Sequence, residues 1–206
     1  MKDLIILVSD KNMYYVLDAL LQRHKAFQIK PIEYDIYIHP LRDPGVYQGS
    51  ADFLRSFLRQ YRFTLVFFDR EGSGKEKKDA DEIAEDIITN LKRNGWEDRC
   101  EVIVFDPELE TWAWINSPYL AKHTGWENLS LLQDFLRTND YWEMDLQKPL
   151  RPKEAFEAAL REKRVQRSSA IYKNIASDAG FQDCIDPSFK KFHRILKHWF
   201  SVEKNR

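Results

Sequence analysis

Cysteine is nearly missing from this chain: Cys100 and Cys184 are the only two, and neither their number nor their spacing suits a metal knot or a disulfide scaffold. Reduced, partly buried thiols are the expected state. Glycine and proline are scarce as well, 7 and 8 residues of 206, which excludes a linker-rich or low-complexity organisation. No apolar run is long enough for a bilayer. The first, "LIILVS" from Leu4, is too short for a membrane span or a signal core and meets "DKN" with no small-residue cleavage pattern. A soluble, cytoplasmic protein with no membrane partner is expected.

What is present is core-forming material. Hydrophobic residues make up 43% and aromatics 14%, enough for one substantial domain with a helical addition. The formal net charge of -1 conceals an asymmetry. Residues 151–206 hold 13 Lys and Arg against 7 Asp and Glu, a balance of +6, which leaves 19 basic and 26 acidic residues, a balance of -7, in residues 1–150. A basic carboxyl-terminal half suits a polyanionic partner such as nucleic acid, or forms a solvated helical face.

Four apolar runs read as buried strands ending in polar residues: "LIILVSD" from Leu4, "EYDIYIHP" from Glu33, "FTLVFFDRE" from Phe63 and "EVIVFDPELE" from Glu101. Helical patterns separate them over residues 13–23, 51–61 and 79–94. This alternation predicts an α/β fold with a mostly parallel sheet flanked by helices over residues 1–116. A helical region, residues 117–206, is expected to pack on that core, with helices near 128–137, 152–163, 168–177 and 187–200. In the last of these, Phe189, Phe192, Ile195, Leu196, Trp199 and Phe200 form one stripe, predicted to be buried.

The chemistry gathers at strand ends. Asp10 closes the first strand, Asp69 and Glu71 close the third, and Glu108 and Glu110 follow the fourth. A parallel sheet brings these ends to one edge, where open α/β folds place ligands. Carboxylates so crowded need protons or a hard divalent cation, Mg²⁺ or Mn²⁺; taken singly, each is also an ordinary wet strand end. Lys11, Arg42, Arg70 and Lys75 stand in loops able to face that edge and bind phosphate oxygens, or remain solvated. "GSGKE" lacks the spacing of a phosphate-binding loop, His39 reads as structural, and no Ser, His and acid set suits nucleophilic catalysis. Trp112 and Trp114, too bulky for casual surface positions, are expected to pack on the sheet.

The acid after the first strand, "DRE" after the third and "PELETW" after the fourth resemble the TOPRIM-like proteins, especially the RloB-like and related small families of bacterial defence loci. "LIILVSDKN", "FDREGSG", "RPKEAFEAAL", "RSSAIY" and "CIDPSF", in this order along nearly the whole chain, are similar to a small-subunit family of methylation-associated defence systems. The resemblance implies that Asp10 stands where the family carries its first Glu, and Asp69 and Glu71 where it carries an Asp-x-Asp pair, together binding Mg²⁺ for phosphodiester chemistry. Both replacements keep a carboxylate and change its reach by one methylene. The implied function is a Mg²⁺-dependent nuclease or nuclease-like effector, with Glu108 at a second ion or a water. The alternative is a non-catalytic assembly or sensor subunit that binds partner defence proteins or DNA.

Overall fold

The computed structural model describes residues 1–114, 117–180 and 184–202. Four strands, β1 (Lys2–Val8), β2 (Tyr34–Ile38), β3 (Tyr61–Asp69) and β4 (Cys100–Phe105), form one all-parallel sheet in the order β2-β1-β3-β4. Between them run α1 (Lys11–Leu21), α2 (His24–Phe27), α3 (Arg42–Arg55) and α4 (Ala80–Leu91). Helices follow almost exclusively from there: α5 (Pro118–His123), α6 (Leu129–Thr138), α7 (Pro152–Glu162), α8 (Ser169–Asp178) and α9 (Pro187–Phe200). The expected boundary at 116 falls on residues 115–116, outside the described residues.

The strands are apolar throughout because both faces are covered. Leu4, Ile6 and Val8 of β1, Leu65 and Phe67 of β3, and Ile103 and Phe105 of β4 face one layer, with α1, α8 and α9. Ile5, Leu7, Val66, Phe68, Val102 and Val104 alternate to the other layer, with α3 and α4. The carboxyl-terminal half therefore shares a core with the sheet. Phe192 lies 5.5 Å from Phe67 and 5.7 Å from Trp112 between ring centroids, and Trp199 stacks on Phe63 at 4.4 Å. The stripe on α9 is buried as its spacing predicts, apart from the half-buried Trp199, and its first turn is capped by Asp186, which accepts from the Ser188 N–H at 2.9 Å. Trp112 and Trp114 are buried too, donating to Ser188 Oγ and to the Pro152 carbonyl.

One helix departs from its sequence reading. Its reading spans residues 51–61, with Arg42 in a loop, yet α3 runs from Arg42 to Arg55 and Tyr61 already opens β3. Pro44 is tolerated because the first turn needs no N–H donor there, and Gly45 makes room for a neighbour. A Cβ at Gly45 would stand 2.3 Å from His39 Nδ1 and 2.5 Å from Leu41 Cβ. Gly45→Ala is expected to cost about 1–3 kcal/mol, the usual range for overpacking. A urea unfolding midpoint equal to wild type would show that His39 moves aside freely.

Candidate functional site

The strand order reverses beside β1: β2 lies on one side and β3 and β4 on the other. Ligands of open α/β sheets bind outside the carboxyl ends of strands at such a reversal. Here a cleft of about 790 Å³ opens at that place, with Asp10, Asp43, Asp69 and Glu108 among its lining residues. Register explains the meeting of Asp10 and Asp69. Val8 pairs with Phe67, so the two acids sit two residues beyond paired positions on adjacent strands and share the α1 face.

Each aspartate is oriented by the backbone. Asp10 is the N-cap of α1, its Oδ1 accepting from the Met13 N–H at 2.8 Å. Asp69 Oδ1 accepts from the Leu109 N–H at 2.8 Å, which ties β3 to the turn after β4. Asp43, in the first turn of α3, accepts from the Asp69 N–H through Oδ1 at 2.9 Å. Burial raises the Asp69 carboxyl well above the ordinary range, and the charges of Asp43, Glu110, Asp10 and Glu108 add to the rise. Asp10 is raised as well, by burial first, against the pull of the Met13 N–H, with Asp43 and Glu110 contributing.

The two later glutamates face cations of the chain itself. Lys153 of α7 contacts Glu108 Oε1 at 2.5 Å, and burial holds the Glu108 carboxyl above its usual value despite that partner. Glu110 is buried, and its Oε1 accepts from Arg167 Nη2 at 2.6 Å and from Tyr172 Oη at 2.5 Å. Arg167 also reaches Glu157 at 2.7 Å. Buried charge is tolerated here because it is paired. Glu71 lies exposed on the rim of the cleft.

Of the expected phosphate-binding cations, Lys11 and Arg42 line the cleft. Arg42 takes a φ of 50°, a left-handed state rare outside glycine and enriched at functional sites. Arg70 and Lys75 turn elsewhere. Arg70 binds Asp106 at 2.9 Å and the Glu76 carbonyl at 3.2 Å, while Lys75 lies over the Tyr47 ring at 5.0 Å. The loop they flank closes on itself: Gly72 and Gly74, at φ 83° and 76°, both aim their N–H groups at Glu76 Oε1, 3.0 Å away. His39 is buried in the wall. Its Nδ1 accepts from the Leu41 N–H at 3.2 Å and burial lowers its pKa, leaving a neutral ring.

Asp43 and Lys153 were not legible as site residues. Asp43 hides in a segment read as a loop, although the rule that gathers strand ends applies to β2 as well and points to it. Lys153 arrives from α7, far away in sequence. The cations of the basic carboxyl-terminal half divide: Arg167 and Lys153 line the acidic cleft, Lys163 pairs with Glu127, and Lys191 and Arg194 line a second cleft beside β4.

Oxygen-only donors suit a hard cation such as Mg²⁺. Among the described residues, no group of three His, Cys, Asp or Glu side chains stands close enough to hold one metal ion. Mg²⁺ commonly takes only one or two carboxylates, completing its shell with waters and substrate phosphates, and Asp10 and Asp69 both line the cleft. No helix among the described residues is long and apolar enough to cross a membrane.

An open parallel sheet with an acid-lined cleft at its reversal defines a doubly wound α/β protein with a polar cleft at the switch point. Set against known protein families, curated proteins and solved structures, the chain matches none.

Proposed function

We propose that this chain is a divalent-metal-dependent phosphodiesterase acting on nucleic acid, in the manner of the TOPRIM-like proteins it resembles, and that it works with partner proteins in a bacterial antiviral defence locus. The observation that carries the reading is the convergence of Asp10, Asp43 and Asp69 on one cleft at the switch point, with Asp69 held far from its ordinary titration. A buried carboxyl whose ionisation is opposed further by neighbouring carboxylates is suited to a cation.

Asp10 and Asp69 would hold Mg²⁺ or Mn²⁺, with Glu71 on the rim of the same cleft adding negative charge. When bound, the ion supplies Lewis acidity at the scissile phosphate. Lys11 and Arg42, on the β1 and β2 side, take the non-bridging phosphate oxygens and fix the strand. Asp43 holds the Asp69 backbone in place. Glu108, its carboxyl raised by burial and held by Lys153, stands in the cleft to take a proton from the attacking water. Lys153 and Arg167 join the basic carboxyl-terminal half to the cleft and guide the polyanion there.

The test is cleavage of single-stranded DNA, duplex DNA and RNA with Mg²⁺ or Mn²⁺, alongside calorimetric titration of each ion. Wild type is expected to cut at least one substrate and to stop on chelation. Asp10→Asn is expected to weaken ion binding and cut on the order of 10²-fold more slowly. Ion binding with every phosphodiester left intact would place the chain with the non-catalytic sensor subunits, and equal ion affinity in wild type and variant would remove the site.

A further inference from the structure

The sheet has two edges, and they differ in cover. Val102 and Val104 of β4 are buried, whereas Tyr37 and Ile38 of β2 are 37% and 43% exposed and the rest of that strand is half-buried. The His39 N–H donates to the Val8 carbonyl at 2.8 Å, and the Glu33 carbonyl accepts from the Leu4 N–H at 3.1 Å, so these alternate residues turn their peptide groups toward β1. Those of Tyr34, Ile36 and Ile38 therefore point away from the sheet. Among the described residues, no hydrogen bond reaches them.

Edges that face water usually carry charge, a bulge or a proline. This strand is apolar on both of its faces. Ile36 packs on the α1 layer, and on the other face Tyr37 lies 5.1 Å from Phe57 and 6.0 Å from Phe53, rings that are themselves only half-buried. The one charge of the strand, Asp35, is taken by Lys2 at 2.6 Å and by Tyr61 Oη at 2.5 Å.

We propose that β2 joins two copies of this chain, the strands pairing antiparallel about a two-fold axis perpendicular to the sheet at Ile36. The strand is complementary to itself in that register. Ile36 faces its equivalent, Tyr34 faces the partner's Ile38, and Asp35 faces the partner's Tyr37, so apolar groups meet apolar ones and the carboxylate meets a phenol. Neighbouring registers are worse. Centred on Asp35, the pairing would set carboxylate against carboxylate; centred on Tyr37, it would offer the Tyr34 carbonyl to Pro40, which has no N–H. A nucleic-acid backbone would meet Asp35 and no cation on the strand. Ile38 also lines the acidic cleft, so the pairing braces one of its walls.

Sedimentation velocity and amide exchange test the proposal. The wild-type mass is expected to double between about 1 and 200 µM, and the Ile36 and Ile38 amides to slow at least about tenfold as it does. Ile36→Lys and Ile36→Glu should each weaken association about 100-fold or more, because each sets like charges opposite one another. An equimolar mixture of the two variants should associate again, Lys against Glu, which also excludes misfolding as the cause of the loss. A protein monomeric throughout would leave the edge to a foreign strand and overturn the proposal. So would association untouched by the Ile36 variants, a mixture that stays monomeric, or amides of Ile36 and Ile38 that slow only when single-stranded DNA is added.

Discussion

Asp69→Asn is expected to stabilise the metal-free protein at neutral pH while reducing metal-dependent cleavage on the order of 10²–10³-fold. The folded protein binds a proton on Asp69 more tightly than the unfolded chain does, because burial and the charges of Asp43, Glu110, Asp10 and Glu108 oppose its ionisation. A raised folded pKa contributes stability that is fully present below the ordinary carboxylate range and is lost as pH rises through the folded value. Wild type without metal should therefore melt at progressively lower temperature as pH climbs from the acid range to neutral. The variant should lose much of that slope. Asparagine can keep the Oδ1 that accepts from Leu109, so the comparison isolates the charge. For a domain of this size each kcal/mol corresponds to about 2–4 °C in Tm. Mg²⁺ should raise the melting temperature of wild type and leave the variant nearly unmoved, since an ion that binds only the folded state stabilises by mass action. Parallel pH profiles for the two proteins would show that the crowded carboxylates do not strain the fold.

Phe192→Ala is expected to cost about 3–5 kcal/mol, the range for emptying a large buried aromatic site. The ring is fully buried, and its neighbours lie far from it along the chain: Phe27 at 5.8 Å, Phe67 at 5.5 Å and Trp112 at 5.7 Å. That loss converts to a fall of about 6–20 °C in Tm, and Phe192→Leu, which leaves a smaller cavity, should fall less. Urea unfolding gives the free energy directly. A loss under about 1 kcal/mol would mean that α9 is not a cover of the sheet but a loosely attached helix.

Much of the architecture was legible because its cause is periodic. Strand runs interrupted by helical stripes predicted a parallel sheet, and the three and four residue spacing from Phe189 to Phe200 identified a buried face. The site was legible only as a rule about edges. Asp10 and Asp69 follow from where strands end, and Asp43 escaped because Pro44 and Gly45 look like a break when they are in fact the first turn of α3. Nor does spacing reveal that Glu110 is matched by Arg167 and Tyr172, since those partners come from a helix and a loop that only folding brings near.

What the sequence by itself determined is therefore local: which runs are strands, which faces are apolar, and that acids terminate several strands. These follow from period and chemistry within a few residues. Tertiary structure alone decided the strand order, hence the reversal beside β1 that turns scattered acids into one cleft. It also decided which acids meet a cation of the chain and which remain crowded. The physical reason is distance. Pairing order, desolvation and charge compensation depend on groups far apart in the chain, and no pattern along a single sequence records which of them the packed core sets side by side.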